Sequence, residues 1–460
     1  MYRLAYEYLE IHTDGEPLYR QLYDSLKKAM ETGQLRQGSR LPSIRRLSED
    51  LGVSRTTVEA AYQQLCVEGY LKSEPKRGYF VLFGEQPAPA DPRRPSLTSA
   101  PLAAHFRFNL GTDCADAEAA DLRIWRRHVR DILNRREIIV SYGEHQGEPA
   151  LREALSLYAG RARGVSAGPE EIVVGAGSQP LLYLLCGLAG KRCAAIDEHG
   201  FAQAEQVFRD CGIKVIPLPR DENGLRPDVL RQSGADLAYV SPSSPVDSGS
   251  AMPTSRRFEL LRWAQETGGI LIEDDYNGEL RYRAHPIPAM QGMAGGGCVA
   301  YLGSFSKLLL PSVRVGYMVL PPSLLVLYRQ RARNYNQTAS KIEQLALAAY
   351  IASGQMERRL RRLRKLYAAK SQLMGKCLAA ALPERQFTLE ETALYFRTPL
   401  VPQEAELLCA KAAEYGVRVR TRENRDGIFA ALSFSGIPLA DIPEAIRLLG
   451  LAWKQGDDRI

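Results

Sequence analysis

One stretch rules out a single continuous core in this 460-residue chain. Residues 84–105 read "GEQPAPADPRRPSLTSAPLAAH", with five prolines and almost no large apolar side chains. Such a segment cannot bury enough surface to fold, and its prolines hold it as an extended, semi-rigid spacer. It divides the chain into a first domain (1–83), a linker (84–105) and a second domain (106–460). The second part has a size that suits an α/β unit with a smaller C-terminal subdomain.

The first domain shows helical spacing from Pro17 onward. Leu18, Leu22, Leu26 and Met30 recur every four residues, and Gly33 ends the run. Then comes "LPSIRRLSEDLGVSRTTVEAAYQQLCVEGYL". Ser43 caps a short helix that turns Ile44, Leu47 and Leu51 inward, and Gly52 permits a tight turn. Ser54 caps a second helix with Val58, Ala61, Tyr62 and Leu65 on its inner face. Two helices joined in this way form a helix-turn-helix, whose second helix enters the major groove with its N-terminal residues. Those residues are Ser54, Arg55, Thr56 and Thr57, all suited to phosphate or base contacts. The following "YLKSEPKRGYFVL" alternates as a hairpin with Lys76, Arg77 and Gly78 at its tip, a wing. Through Leu82 the charge is nearly balanced, 12 basic against 11 acidic side chains, so the total says nothing about nucleic acid. The distribution says more, because four arginines and no acid fall between Arg36 and Arg46. Taken bare, the helical pattern serves a small interaction module as well as a DNA reader.

The second domain contains "GSFSKLLLPSVRVGY", Gly303 to Tyr317. An amine on a strand-to-helix turn can form a Schiff base with an aldehyde cofactor. Pyridoxal 5′-phosphate further needs a phosphate cradle, an acid opposite its pyridine nitrogen, a donor to its phenolic oxygen and a ring contact. Candidates exist for each. Ser304 and Ser306 flank Lys307, and Arg314 offers a bidentate phosphate clamp. In "IVVGAGSQPLLYLL" a strand passes through a Gly-rich turn into a helix, presenting the N–H groups of Gly177, Ser178 and Gln179. In "GILIEDDYNGELRY" a buried strand ends in acids, which places Asp274 at a carboxyl strand end and Tyr276 beside it. Phe201 in "DEHGFAQ" offers a ring to stack on. Each match alone is weaker than its bland alternative of surface lysine or helix cap; their order along the chain carries the reading.

On these residues the chain resembles a known family. Residues 15–83 follow the winged helix-turn-helix of GntR-type bacterial regulators, and residues 107–455 resemble fold-type I aminotransferases. Together, with "YGEHQGEPALREALSLYAGRARGV", "GAGSQ", "IEDDYNGELRY" and "GSFSKLLLPSVRVGY" in order, the chain resembles the MocR (GabR-like) subfamily. The resemblance implies a mostly parallel α/β sheet with a small C-terminal subdomain. It implies that Lys307 holds pyridoxal 5′-phosphate, with Asp274 at the pyridine nitrogen, Tyr276 at the phenolic oxygen and Arg314 at the phosphate. Phe201 stands where relatives often stack a tyrosine, and Tyr142 matches a position that reaches the partner subunit's phosphate, so a head-to-tail homodimer is implied. Arg45, Arg55, Thr57 and Gly78 are implied DNA contacts, with Arg77 beside them on the wing. The expected function is an effector-responsive transcription regulator that binds operator DNA, with a primary amine as effector and RNA polymerase as a further candidate partner. The alternatives are an active aminotransferase with an appended DNA-binding domain, and a direct sensor of pyridoxal 5′-phosphate.

Three departures bear on the ligand. "SPSSPVDSG" (241–249) lacks the family's His-Gln pair, leaving Ser243 as a partial substitute, and "AADLRI" precedes Trp125 in place of Phe-Pro. In "FAALSFSG", Ala431 stands where relatives carry the arginine that grips a substrate carboxylate. Its loss removes a charge-assisted anchor and argues against full transaminase turnover. Arg418, Arg420 and Arg422 are candidate replacements, with surface charge the favoured reading. A basic run, "MERRLRRLRKLYAAK", likewise reads as a solvated helix whose arginine stems cover apolar neighbours. The eight cysteines are scattered without metal-ligand spacing, so no metal is expected and a reducing compartment is. The N-terminus lacks a signal-peptide core and no apolar run spans a membrane, so a cytoplasmic protein is expected.

Overall fold

The computed structural model describes residues 9, 16–82, 106–111, 122–198, 200–243, 251–275, 277–283, 286–293, 297–391, 393–424 and 427–457. The chain divides into two compact units, Met1–Ala103 and Ala104–Ile460. The proline-rich stretch at 84–105 lies outside the described residues.

In the small unit, helix α1 (Leu18–Glu31) turns Leu22, Leu26 and Met30 into a core shared with α2 (Ile44–Leu51) and α3 (Arg55–Val67). Both serines cap as their position demands. The Ser43 hydroxyl accepts from the Arg46 N–H at 3.2 Å and the Ser54 hydroxyl from the Thr57 N–H at 3.1 Å. Gly52 ends α2 at φ +66, a left-handed conformation that a side chain would strain. Strands β1 (Leu71–Glu74) and β2 (Gly78–Val81) pair antiparallel, from Leu71 with Val81 to Glu74 with Gly78, and Lys76 turns the tip at φ 64. A winged helix-turn-helix results.

The large unit is built on seven strands: β3 (Ile172–Gly175), β4 (Cys193–Asp197), β5 (Lys214–Leu218), β6 (Leu237–Val240), β7 (Ile270–Asp275), β8 (Val299–Ser304) and β9 (Gly316–Val319). They lie in the order β3-β9-β8-β7-β6-β4-β5, parallel except for β9. The strands β3, β6 and β7 are buried along their whole length, as a sheet covered on both faces requires. Helices α4 (Pro149–Arg163), α5 (Ser178–Ala189) and α6 (Ala202–Asp210) position the site described below.

The C-terminal part pairs helices α7 (Gln355–Ala381) and α8 (Ile442–Asp457) with a second, antiparallel sheet. That sheet holds β10 (Thr388–Glu390), β11 (Tyr395–Leu400), β12 (Arg420–Asn424) and β13 (Gly427–Ser433), in the order β10-β11-β13-β12. Ala430 and Leu432 of β13 pack into the same core as Tyr367 and Met374 of α7 and Ile446 and Leu449 of α8. Sequence reasoning placed the basic side chains of α7 in solvent; Arg358, Arg361, Arg362 and Lys365 are exposed as expected, and the structure corrects the reading at two positions. Arg359 and Lys370 are buried. Arg359 donates to the carbonyls of Leu308 and Leu309, and Lys370 to the Ile437 carbonyl at 2.6 Å. Uncapped loop carbonyls inside the unit supply the acceptors that make these burials tolerable.

Candidate functional site

The carboxyl ends of β3, β7 and β8 lie along one edge of the large sheet, where α/β sheets gather ligand groups. Gly316 of β9 pairs with Gly175 on one side and Ser304 on the other. At Gly316 the row comes backbone to backbone with the turn after β3. A Cβ on Gly316 would stand 3.1 Å from the Gly177 Cα, and one on Gly177 would stand 3.0 Å from Arg314 Nη2. Gly177 caps α5 at φ 103, so Ser178 and Gln179 follow as its first residues. Arg314 is exposed, with Nη2 at 3.4 Å from the Ala176 carbonyl. A helix N-terminus with its N–H groups directed outward and a guanidinium leaning over it forms a receptor for a compact anion.

Lys307 sits half-buried in the turn that follows β8. The hydroxyls of Ser304 and Ser306 lie 3.2 Å apart, and the Ser306 N–H reaches the Ser304 hydroxyl at 3.3 Å. Behind this turn, the Arg359 guanidinium holds the two carbonyls that follow the lysine, the second at 2.7 Å. Phe201 precedes α6 and is 38% exposed. Tyr142 projects fully from the chain, while its carbonyl accepts from Lys341 Nζ at 3.3 Å. Thus Gly177 meets Arg314 and, through Gly316, the strand end at Ser304 that leads into the turn of Lys307, whereas the Tyr142 ring is fully exposed. Tyr276 lies outside the described residues, as does Ser244–Ser250.

Beneath the edge lies a buried polar layer. Asp274 is next to last in β7, and its carboxylate accepts from the Tyr239 hydroxyl of the neighbouring strand. Asp275, on the opposite face, accepts from Arg163 Nη2 at 3.0 Å and from the Tyr301 hydroxyl at 2.7 Å. Arg163 ends α4 and also reaches the Ser243 hydroxyl at 2.6 Å. Ser243, expected at the ligand, is therefore engaged in this layer. Gly278 must lack a side chain because Asp275 and Arg163 occupy the place of its Cβ.

Burial pushes Glu273 and Glu279 up to about 7, with the Asp275 charge adding to it in both. Burial pushes Asp274 up to about 6, against the Tyr239 hydrogen bond. The sign follows from proton counting. Between the ordinary carboxylate range and these raised values the folded chain holds protons that the unfolded chain has released, so stability falls as pH rises. The cofactor-free protein is expected to lose about 4 kcal/mol between pH 5.5 and 7.5, roughly half of it from Glu273. Urea unfolding midpoints at the two pH values measure it, and Glu273→Gln should flatten the dependence. A midpoint that climbs with pH would contradict the assignment.

Sequence reasoning missed Arg163, Tyr239 and Arg359. The signal for Tyr239 was a lone hydroxyl in the aliphatic run "LAYV"; for the arginines none was local, because their partners lie far along the chain. Ala431, in contrast, stands in β13 directly between Arg397 of β11 and Arg420 of β12.

In the small unit, Arg45, Arg55, Thr56 and Ser54 are exposed and Thr57 is half-buried. The Ser54 hydroxyl lies 2.8 Å from that of Thr56 and 2.7 Å from that of Thr57, so the three share the start of α3. Glu49 draws Arg45 to 2.9 Å and Arg55 to 4.0 Å. On the wing, Arg77 pairs with Glu74 at 2.6 Å, and a Cβ on Gly78 would meet Arg40 Nε at 3.3 Å. Both arginine groups are surface pairs of small worth, readily exchanged for phosphate.

The profile of bacterial regulatory proteins of the gntR family matches residues 18–81, and that of aminotransferase class I and II matches residues 108–425. The uncharacterized HTH-type transcriptional regulator YdeL of Bacillus subtilis is 33% identical over 452 residues, covering 95% of this chain and 97% of its own. The probable rhizopine catabolism regulatory protein MocR of Rhizobium meliloti is 32% identical, covering 78% and 76%. Among solved structures, the α-aminoadipate aminotransferase LysN of Thermus thermophilus, complexed with N-(5′-phosphopyridoxyl)-L-leucine, superposes with a TM-score of 0.67 at 23% identity, over 77% of this chain and 93% of that one. Among the described residues no helix is long and apolar enough to cross a membrane, and no cluster of metal-ligating side chains occurs.

Proposed function

Since the chain belongs to the MocR-like regulators, in which a gntR-type DNA-binding module is joined to a class I and II aminotransferase unit, we propose that it reads an amine through pyridoxal 5′-phosphate and reports it to operator DNA. It is an effector-responsive transcription regulator. The cradle carries the cofactor reading. Gly177 and Gly316 bring backbone to backbone, and Arg314 closes over the start of α5, the shape and charge that a phosphate monoester fills. Lys307 would hold the cofactor covalently, and Ser304, Gly177, Ser178, Gln179 and Arg314 would hold its phosphate. Asp274 would ionise against the pyridine nitrogen, Phe201 would lie on the ring, and Tyr276 would meet the phenolic oxygen. When bound, the cofactor supplies an aldehyde that captures a primary amine and a ring that withdraws electrons.

A cytoplasmic head-to-tail homodimer follows from this reading, with Tyr142 reaching the partner's phosphate; its exposure supports that role. The boundaries 1–83, 84–105 and 106–460 would give such a dimer two DNA readers, each joined through a proline-rich segment, suited to two half-sites. Recruitment of RNA polymerase belongs to the same reading. Ala431, without a guanidinium of its own, supports a sensor that stops at a half-reaction.

The test measures DNA binding by the intact chain, on an operator selected from random-sequence duplexes, with and without cofactor and amine. A response to amine only when cofactor is present upholds the reading; DNA binding indifferent to both sinks it. Arg55→Ala should weaken binding and reduce the slope of log affinity against log salt by about 1 if the arginine meets a phosphate. An unchanged slope and affinity would remove Arg55 from the interface.

A further inference from the structure

Three consecutive acids close β7, and their partners differ. Glu273 accepts from the Met290 and Gln291 N–H groups at 2.8 and 3.0 Å, and Asp275 accepts from Arg163 and Tyr301. Among the described residues Asp274 accepts from one donor, the Tyr239 hydroxyl, and that bond falls on Oδ2. Asp274 also keeps the most surface open of the three, 8% against 0% for Glu273 and 3% for Asp275. It is the one acid of the row that a ligand can reach, with one oxygen engaged and the other left for a second donor.

The sheet and one helix fix the donor. Tyr239 pairs with Ile272 in the parallel register of β6 and β7, so its side chain leaves the sheet on the same face as Asp274, two residues further on. Its own neighbours there are apolar: Ile196 lies opposite Tyr239 on β4, and Leu302 opposite Asp274 on β8. Phe208 of α6 meets the Tyr239 ring edge to face, with centroids 6.3 Å apart and planes at 76°. Phe201 caps the same helix about two turns earlier. One helix therefore carries the ring proposed to lie on the cofactor and the ring that steadies Tyr239. A phenylalanine would fill this core equally well, and a hydroxyl is tolerated in it because Asp274 accepts its proton.

We propose that Tyr239 is a positioning residue for the cofactor: by engaging one oxygen of Asp274 it turns the other to the pyridine nitrogen and keeps the proton of that pair on the nitrogen. A donated hydrogen bond stabilises a carboxylate and lowers its affinity for a proton. Burial, helped by the Asp275 charge along the same strand, acts the other way and pushes Asp274 up to about 6. Without the Tyr239 hydroxyl the carboxyl draws the shared proton from the ring nitrogen, and the ring withdraws electrons less strongly. A tyrosine that served the core alone would leave that proton in place. The inference rests on the reading that pyridoxal 5′-phosphate is held at Lys307 and meets Asp274.

Nitrogen NMR of the full chain loaded with isotope-labelled pyridoxal 5′-phosphate reads that proton directly, with Asp274→Asn as the reference for a ring nitrogen without it. The wild type should show a protonated nitrogen. Tyr239→Phe removes a single oxygen from the core. It should move the resonance roughly a third or more of the way to the reference, and raise the cofactor concentration at half-saturation about tenfold. A Tyr239→Phe resonance that stays at the wild-type position overturns the inference, whatever the variant loses in stability. So does a wild-type resonance that coincides with the reference. A wild type that takes up no cofactor, seen as a missing violet band, counts against the functional reading alone. The cofactor-free chain then tests the hold of Tyr239 on Asp274. Losing the donor raises the folded-state pKa of Asp274 further above its unfolded value, so stability is lost over a longer span of rising pH. The urea midpoint of Tyr239→Phe should therefore fall more than that of the wild type between about pH 5.5 and 7.5. A steeper fall upholds that hold, and parallel midpoints overturn it.

Discussion

Replacing Arg163 with alanine is expected to remove about 3–5 kcal/mol from the stability of the large unit. The side chains of Arg163 and Asp275 are both wholly buried. The pair persists because its hydrogen bonds are nearly complete: Asp275 takes bonds from Arg163 and Tyr301, and Arg163 also gives to Ser243 and the Ile287 carbonyl. Without the guanidinium, Asp275 would remain as a buried carboxylate beside Glu279 and Glu273, which already resist ionisation. The loss is mostly this stranded charge, so removing both partners should cost less than removing one. Urea unfolding of wild type, Arg163→Ala, Asp275→Leu and the double variant reads it directly. A single variant within 1 kcal/mol of wild type, or a double variant that loses the sum of both, would show that the pair is not what stabilises this edge.

That layer also shows where sequence reasoning runs out. Local chemistry was legible: Ser43 and Ser54 as caps, Gly52 as the left-handed stop, the wing tip at Lys76, and the strand-turn-helix that turns at Gly177. Each depends on neighbours a few residues away. The lysine turn was legible only in part: Ser304, Ser306 and Arg314 lie within one short segment, but the turn runs from β8 into β9 and not into the helix that was expected after the lysine. What supports the turn was not. Arg359 acts on Leu308 and Leu309 from some fifty positions downstream, and its helix reads as an evenly charged surface until the loop carbonyls are seen beside it. Arg420 illustrates the limit differently. Its spacing from Ala431 carries no message, and only the antiparallel register brings the two side by side. Periodicity reports which side of an element is buried, but not which far segment supplies the acceptor.

The sharpest expected difference lies between two substitutions in the cradle. With pyridoxal 5′-phosphate added, the wild type should develop the violet absorption of a lysine-bound cofactor, and Lys307→Ala should show none at any concentration. Only an amine can make that bond, and Lys307 is the one lysine in the segment Gly303–Tyr317. Arg314→Ala should behave otherwise. It leaves the amine in place and removes a charged donor from the phosphate, worth about 1.5–3 kcal/mol. The violet band should therefore still form, but at cofactor concentrations roughly ten- to a hundredfold higher. The N–H groups at the start of α5 explain why binding survives, because they remain an anion site without the arginine. A violet band in Lys307→Ala would place the covalent link on another lysine and dissolve the reading of the turn. A band in Arg314→Ala that saturates at the wild-type concentration would leave the lysine assignment intact and move the phosphate away from the cradle of Gly177 and Gly316.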